Sequence, residues 1–175
     1  MKKIILLLVI FIGFLFANEV YFMPNDGKKA EKKLYYLFTH AKHNIKIVMY
    51  TFTNKKLARA LKIAAKKRIK ITIIADKKEA KYKRSVIPNL ATIRNIKVYL
   101  LTGKNYKNGE SAKMHVKLAI VDNNYLIFGS ANYSYSAFYK NYEYIMISEN
   151  RFLISKFNAF FNHLHILATP YRLSR

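Results

Sequence analysis

Residues 114–134 read MHVKLAIVDNNYLIFGSANYS, and this stretch decides how the chain folds. Apolar residues, many of them β-branched, predominate at 114–121 and 125–128, and the turn signal DNN at 122–124 separates these two runs. The pattern predicts two strands joined as a β-hairpin. Alternate residues of a strand project from the same face, so His115 and Lys117 are expected side by side. A nucleophilic or basic ring beside a cation on a rigid strand suits an anionic substrate such as a phosphate.

Strand-like and helix-like segments alternate on either side of this hairpin. Runs of β-branched and aromatic residues predict strands, and apolar residues at every third or fourth position predict helices. Residues 102–113 carry two glycines and no apolar period, which predicts a mobile loop. The alternation is typical of an α/β fold, here a layered α/β/α domain whose hairpin makes the central sheet mixed. The predicted strands are 20–22, 45–52, 69–75, 96–101, 114–121, 125–128 and 143–147, and the predicted helices are 28–42, 54–67, 77–91 with an interruption at Pro88, 133–139 and 151–167.

The polar residues of the hairpin region resemble the signature of the phospholipase D superfamily. His115-Val116-Lys117, with Asp122 after four further residues, is similar to its HKD motif, and the stretch 129–132 (GSAN) is similar to its Gly-Ser-x-Asn element. Glu143 matches the downstream acid that orients the histidine in related nucleases. The resemblance covers about residues 19–167. It implies the phospholipase D/nuclease type of fold and the activity of a small, single-motif, exported bacterial endonuclease of the Nuc-like kind.

These residues supply the parts of a metal-free phosphodiester hydrolysis. Such a reaction needs a nucleophile, a proton donor for the leaving oxygen and donors around the phosphoryl oxygens. His115 can attack phosphorus through one ring nitrogen if the other donates to a carboxylate, for which Glu143 is the candidate. Lys117 and Asn132 would bind the phosphoryl oxygens, and the Ser130 hydroxyl would add a polar contact.

Two further motif residues are expected to support the site without taking part in the chemistry. Asp122 lies at an odd offset from His115 and falls in the turn, and Gly129 opens the Gly-Ser-x-Asn element. The chain has no cysteine, and its carboxylates and histidines show no cluster suited to Mg²⁺, Ca²⁺ or Zn²⁺. No metal or cofactor is therefore expected, and the resemblance implies a covalent phosphohistidine intermediate.

The reaction needs a second histidine as general acid, and no second His-x-Lys pair exists in the sequence. The remaining histidines are expected at the surface or in packing; they are His40, His43, His163 and His165. The resemblance implies that single-motif members pair two subunits so that each contributes one motif, and symmetric dimers are the commonest oligomers. The sequence therefore predicts a homodimer with both His115 side chains at one phosphorus.

The charge of the chain indicates an anionic partner. The 175 residues hold 32 Lys+Arg and 9 Asp+Glu, a formal net charge of +23. Residues 28–113 contain 24 of those cations and 4 of the acids, a net +20. So large an excess of one sign favours nucleic acid or an anionic membrane as partner. The predicted nucleic-acid contacts are Lys55, Arg59 and Lys62 on one helix and Lys104, Lys107 and Lys113 in the loop before the hairpin.

The first 17 residues have the pattern of a signal peptide. Lys2 and Lys3 precede an apolar run at 4–16, followed by Ala17. As a helix the run would span about 20 Å, short of the ~30 Å of a bilayer core. We expect cleavage near Ala17, with a retained anchor as the alternative, and a single domain over residues 18–175. The expected location is outside the cytoplasm, in the periplasm, at the membrane or in the medium.

Three functions remain open at this point. The first is an exported endonuclease acting on DNA, with RNA as an additional substrate, and the second is the same chemistry on an anionic phospholipid such as cardiolipin at a membrane. The third is a basic nucleic-acid-binding or uptake component.

Overall fold

A computed structural model describes residues 18–172, so the predicted signal segment lies outside the described part. The chain forms an eight-stranded sheet with helices on both faces. The strands are β1 (Asn18–Met23), β2 (Asn44–Met49), β3 (Lys70–Asp76), β4 (Ile96–Leu101), β5 (Lys117–Val121), β6 (Tyr125–Gly129), β7 (Glu143–Ser148) and β8 (Thr169–Pro170). The helices are α1 (Gly27–Thr39), α2 (Lys55–Lys66), α3 (Ile87–Ala91), α4 (Tyr135–Tyr139) and α5 (Arg151–Leu167), and a 3₁₀ turn spans Glu79–Lys81.

The sheet is mixed, as the sequence predicts. Its strand order is β1-β7-β6-β5-β2-β3-β4-β8. β2, β3 and β4 are parallel to one another, and every other neighbouring pair is antiparallel. The parallel and antiparallel halves meet where β2 pairs with β5.

Side chains of β2 alternate between two apolar layers. Ile45 and Ile47 pack in the layer that contains α1, α2, α3 and α4, whereas Val48 packs in the layer under α5. Phe161 of α5 is buried against that second layer. These two layers confirm the predicted α/β/α architecture.

Asparagine side chains cap two of the helices. Asn54 accepts hydrogen bonds from the main-chain N–H groups of Lys56 and Leu57 at the start of α2. Asn150 caps α5 in the same way. Each cap satisfies N–H groups that have no partner within the helix, so it fixes the residue at which the helix begins.

The turn between β5 and β6 has the conformation that the sequence predicts. Asp122 and Asn123 have φ values of 55° and 53°, the left-handed region that Asn and Asp tolerate best after glycine. The Asp122 carboxylate accepts main-chain hydrogen bonds from Lys42, His43 and Asn44 at 2.7–3.0 Å. The turn is thereby fastened to the start of β2.

The predicted helix over residues 77–91 is wrong. The segment instead holds the 3₁₀ turn at Glu79–Lys81 and the short α3, and Pro88 lies in the first turn of α3. Proline suits that position because its missing N–H would have no helical partner there. Pro88 therefore lies in the first turn of a helix, where an interruption was expected.

The loop at 102–113 has more structure than its composition indicates. Gly103 and Ala112 form a main-chain hydrogen bond of 2.8 Å, and Tyr106 donates to the carbonyl of Glu110 at 2.7 Å. These bonds fold the segment into a hairpin of mostly polar residues. We call residues 103–112 the polar hairpin. Its side chains from 104 to 110 are exposed on both faces, so no apolar alternation marks it in the sequence.

A buried carboxylate ties three helices of one layer together. Glu31 of α1 accepts hydrogen bonds from Asn54 and Lys56 at the start of α2 and from the Tyr139 hydroxyl of α4. These bonds outweigh the effect of burial and hold the pKa of Glu31 below its usual value.

None of the helices within residues 18–172 is long and apolar enough to cross a bilayer.

Candidate active site

The motif residues come together at one edge of the sheet. This edge contains the carboxyl ends of β2 and β6 and the amino ends of β5 and β7, because β5 runs antiparallel to both of its neighbours. Lys117 pairs with Met49 at the end of β2, and Gly129 pairs with Ile145 near the start of β7. Short segments from four strands therefore meet around the start of β5.

His115 and Lys117 are in contact. The Lys117 Nζ atom lies 2.9 Å from His115 Nδ1 and 2.9 Å from the His115 carbonyl oxygen. His115 is exposed, whereas Lys117 is only 8% exposed. An ammonium group has no lone pair, so Nδ1 is the acceptor here and a neutral ring carries its proton on Nε2. Although β5 begins only at Lys117, the two side chains are neighbours, as predicted.

The electrostatics of the site favour a neutral histidine. Burial, followed by the charges of Lys117 and Lys113, lowers the pKa of His115 below its ordinary value of 6.5. Burial also lowers the pKa of Lys117, and the charge of Glu143 opposes that shift. A neutral imidazole is the form that can act as a nucleophile at neutral pH.

The site is also lined by the aromatic ring of Tyr50, which the motif alone does not reveal. The Tyr50 ring centroid is 4.6 Å from that of His115, and the Nζ atoms of Lys117 and Lys113 lie 5.4 and 5.8 Å from it. Tyr50 directly follows β2 and donates its main-chain N–H to the carbonyl of Val116. The aromatic and threonine-rich stretch 50–53 is the sequence signal that could have identified it. Tyr50 provides a wall against which His115 is held.

Asn132 is fixed by a chain of hydrogen bonds that begins beyond β3. Its Oδ1 atom accepts from the Thr51 main-chain N–H at 3.3 Å, and the Thr51 hydroxyl donates to Glu79 at 2.8 Å. The Asn132 amide is thus oriented with its oxygen toward the protein, which leaves its NH₂ group available as a donor to an anion.

Gly129 and Ser130 bind β6 closely to β7. Ser130 donates its main-chain N–H to the Tyr144 carbonyl, and its hydroxyl accepts from the Tyr144 N–H, both at 3.1 Å. A Cβ atom at Gly129 would lie 2.2 Å from the same Tyr144 carbonyl oxygen. Only glycine allows this approach, so its role is one of support, and the Ser130 hydroxyl is engaged by the main chain.

Glu143 lies at the start of β7, at the same edge of the sheet. The pKa values of His115 and Lys117 are both lowered overall, and the charge of Glu143 opposes each of these shifts. Glu143 is therefore within electrostatic reach of the pair. Among the hydrogen bonds of residues 18–172, His115 Nδ1 is bonded to Lys117 and not to Glu143. The predicted orienting role of Glu143 therefore stays a prediction.

Asp76 is a site residue that sequence reasoning missed. This buried carboxylate ends β3, and its Oδ2 atom accepts the Met114 main-chain N–H at 3.0 Å, next to His115. Its Oδ1 atom accepts the N–H groups of Lys78 and Glu79 at 2.9 and 3.1 Å. The Asp76 carboxylate thus holds two pieces of main chain, one beside His115 and one in the turn that contains Glu79. Glu79 in turn positions Asn132 through Thr51. Only the fold brings residues 76 and 114 together, so no local pattern reveals it.

Asp76→Asn is expected to misplace His115. The new amide group would face main-chain donors with an NH₂ group that cannot accept from them, and displacements of about 1 Å can cost on the order of 10²-fold in rate. We expect a fall of about that size in kcat with a smaller change in KM. The acid limb of the pH profile should also move to lower pH, because the Asp76 charge raises the pKa of His115.

Glu149→Gln removes the same charge from an exposed position and provides the matched control. Steady-state kinetics and thermal melting of both variants separate positioning from stability. An Asp76→Asn protein that melts earlier but keeps its kcat and its pH profile would show that this carboxylate only stabilises the fold.

The predicted nucleic-acid contacts fall into two groups. Lys113 approaches the Tyr50 ring, and Lys104 and Lys107 are exposed on the polar hairpin that leads to it. Lys55 and Arg59 are exposed on α2, with Lys62 half-buried one turn further on. No group of three or more His, Asp or Glu side chains suited to a metal ion occurs within residues 18–172.

Comparison with known proteins identifies the family. The family described as "Cardiolipin synthase, PLD-like domain" matches residues 34–165, well over half of the chain. The protein therefore belongs to the PLD-like domain family of the phospholipase D superfamily, which confirms the resemblance of the HKD motif. The enzyme class that its fold and site define is that of the phospholipase D-like phosphodiesterases and nucleases.

Two solved structures of similar size share the whole fold. NucT from Helicobacter pylori is 32% identical with a TM-score of 0.86, over 89% of this chain and 99% of NucT. Nuc from Salmonella typhimurium, a phospholipase D family member, is 22% identical with a TM-score of 0.73, over 90% of this chain and 99% of Nuc. The phospholipase D/nuclease type of fold is thereby confirmed.

Curated relatives carry a different description. The mitochondrial cardiolipin hydrolase of Xenopus laevis is 26% identical over 124 residues, which cover 71% of this chain and 55% of the relative. That of Danio rerio is 23% identical over 133 residues, covering 76% and 56%. The chain spans a little over half the length of these relatives.

Proposed function

We propose that the protein is an exported, metal-independent endonuclease that hydrolyses DNA or RNA without sequence preference. The observation that carries this proposal is the contact between the exposed His115 ring and the Lys117 ammonium, with the Asn132 amide donor at the same sheet edge. The net +20 of residues 28–113 supports nucleic acid as the phosphodiester. The likeness to NucT over 89% of this chain and 99% of NucT fits a single-motif protein of the Nuc-like kind.

Substrate binding would prepare the histidine for attack. A phosphoryl oxygen carries more negative charge than an imidazole nitrogen, so it competes with His115 Nδ1 for the Lys117 ammonium. Lys117 and the Asn132 amide would then stabilise the charge that develops on the phosphoryl oxygens. Once Lys117 has turned to the phosphate, Nδ1 is free to take a proton and to donate it to an acceptor, which is the role predicted for Glu143.

The chemical step would pass through a phosphohistidine. The His115 nitrogen forms a bond to phosphorus while the bond from phosphorus to the leaving oxygen breaks, and a protonated second histidine gives its proton to that oxygen. The same second histidine then takes a proton from water as the water oxygen bonds to phosphorus and the N–P bond breaks. A phosphomonoester and free His115 result, and the second histidine ends in the protonated form in which it began.

We propose that the second histidine is His115 of another copy of the chain. An exposed aromatic patch lies beside the site and is formed by Phe22 of β1, Tyr142 just before β7 and Tyr144 of β7. It borders a shallow cavity of about 300 Å³ that Ser130 and Glu143 also line. Tyr142 is 95% exposed, an unusual position for so large a ring in a monomer. A homodimer that covers this patch would bring two sites to one sheet edge.

The second candidate function is hydrolysis of an anionic phospholipid at a membrane. The cardiolipin hydrolase relatives favour it, and the aromatic patch offers side chains that suit a membrane interface. A retained anchor at residues 1–17 would support the same function. The two candidates share the chemistry and differ in the substrate and in what covers the patch.

A substrate panel in excess EDTA tests the proposal. The purified protein and its His115→Ala variant are incubated with single-stranded DNA, double-stranded DNA, RNA and cardiolipin vesicles. We expect cleavage of nucleic acid by the wild type alone. Lipid turnover without nucleic-acid cleavage would favour the second candidate, and tight binding without cleavage would favour a binding or uptake component. Loss of activity in EDTA would contradict metal independence.

A further inference from the structure

A basic groove lies between α2 and the segment that precedes α3, outside the catalytic cluster of His115, Lys117 and Asn132. Its volume is about 760 Å³. One wall carries Lys55, Arg59 and Lys62 of α2, and the other carries Lys83 and Arg84. We call it the α2 groove. The second wall was not among the sequence-based predictions, because residues 83–84 face α2 only once residues 77–91 depart from a helix.

The charges of the α2 groove are uncompensated. Its lining includes five cations and no carboxylate, and none of the five forms an ion pair within residues 18–172. Cations held together in a concave surface repel one another and concentrate counter-anions. Ala58 and Val86 add apolar surface to the lining. A groove of this kind fits a flexible polyanion, whereas a flat bilayer cannot enter it.

Both walls of the α2 groove are attached to main chain that lies beside the catalytic cluster. Val86 in one wall donates its N–H to the Phe52 carbonyl, and Asn54, which caps α2, donates to the Tyr133 carbonyl. Phe52 and Tyr133 are paired by a β-bridge and directly follow Thr51 and Asn132. Both walls are therefore anchored close in sequence to the Thr51–Asn132 hydrogen bond. At the other end, the Lys62 ammonium bonds to the Asn89 side chain and joins the walls.

We propose that the α2 groove binds the sugar-phosphate backbone of the substrate strand next to the scissile phosphate. This inference rests on the proposed function and makes it more specific. The three cations of α2 span about 10 Å of helix, which corresponds to about three phosphates at the ~3.4 Å spacing of a stacked strand. The groove thus makes the enzyme prefer long strands to short ones, because a short substrate fills the catalytic cluster alone.

The test compares two double variants that remove equal charge. Arg59→Gln/Arg84→Gln changes one residue in each wall of the α2 groove. Arg68→Gln/Arg94→Gln changes a second basic depression, which Lys66, Arg68 and Arg94 line at the opposite end of α2. Both depressions are cationic, so a general effect of net charge would affect the two variants equally.

Three measurements are made on each protein. They are the affinity for a labelled single strand of about 16 nucleotides as a function of salt, the KM for that strand against one of about 4 nucleotides, and kcat on bis(4-nitrophenyl) phosphate. In the α2-groove variant we expect the salt slope to fall by about 0.7 for each phosphate that the variant no longer neutralises. Its affinity for the long strand should fall by about tenfold or more, with little change for the short strand or the small diester.

The outcomes separate the two proposals. Equal losses in the two double variants, or equal losses for long and short strands, would overturn the role of the α2 groove while leaving the nuclease proposal intact. A wild-type protein that hydrolyses the small diester or cardiolipin vesicles but no nucleic acid would overturn the proposed function itself. Weaker binding of anionic vesicles with unchanged binding of the strand would assign the groove to a membrane.

Discussion

Replacing His115 by alanine is expected to reduce phosphodiester cleavage by about 10⁴-fold or more, because the covalent route then has no nucleophile. The His115 side chain is exposed, and its contacts are those with Lys117 and Tyr50 in the site. Its removal leaves the apolar core intact, so the fold should persist. Binding of nucleic acid, which the lysines and arginines would provide, should change little. Cleavage assays in EDTA and binding measurements on the same preparation check both parts.

Mixed dimers extend this prediction to the shared site. If one phosphorus needs two copies of His115, a dimer of one wild-type and one His115→Ala chain has either the nucleophile or the proton donor, but not both. Wild-type and variant chains are unfolded together in equal amounts and refolded. The mixture should then show about one quarter of the activity of the same total amount of wild-type chain, because one dimer in four contains two wild-type chains. Half of the activity would indicate independent sites, and sedimentation of an active monomer would exclude the shared site.

Replacing Lys117 by methionine is expected to lower kcat by about 10²- to 10³-fold, the usual loss when one donor to a developing negative charge is removed. The methionine side chain can fill the volume of the buried lysine stem, so stability should be retained. The Lys117 charge lowers the pKa of His115, so its removal raises that pKa toward 6.5. Protonated histidine is not a nucleophile, and the acid limb of kcat/KM should therefore move to higher pH.

Lys46→Met is the matched control for this variant. Lys46 is also a partly buried lysine on a central strand with a pKa lowered by burial, but its ammonium bonds to Asn158 under α5, away from the catalytic cluster. It should leave both kcat and the pH profile unchanged. A Lys117→Met protein with reduced activity but an unshifted acid limb would show that Lys117 and His115 do not interact electrostatically in the working enzyme.

The parts of the site that could be predicted from the sequence are those encoded by short spacings. His115 and Lys117 are neighbours because a strand repeats every two residues, and the left-handed turn at Asp122 and Asn123 follows from what those residues tolerate. The α/β/α layers likewise follow from apolar periods within single segments. Such features depend on local geometry, which a sequence displays directly.

The parts that could not be predicted depend on distant residues. Asp76 reaches Met114 across 38 positions, and Glu79 positions Asn132 through Thr51. Residues 77–91 have a helical composition, yet the Val86 N–H group donates to the distant Phe52 carbonyl, and the segment is helical only at Glu79–Lys81 and Ile87–Ala91. Here a tertiary hydrogen bond overrides a local preference of less than about 1 kcal/mol per residue.

The pairing of β1 has a consequence for the order in which the molecule is assembled. β1 is the first described strand, but within residues 18–172 it pairs with β7 alone, and Asn18 lies opposite Ser148. A ribosome must therefore complete most of the chain before the N-terminal strand can find its place. Until then the apolar side chains of β1 have no strand beside them, and contacts of such long sequence separation form slowly. β1 is thus among the last elements to be fixed, and folding cannot be complete until β7, near the far end of the described chain, is available to pair with it.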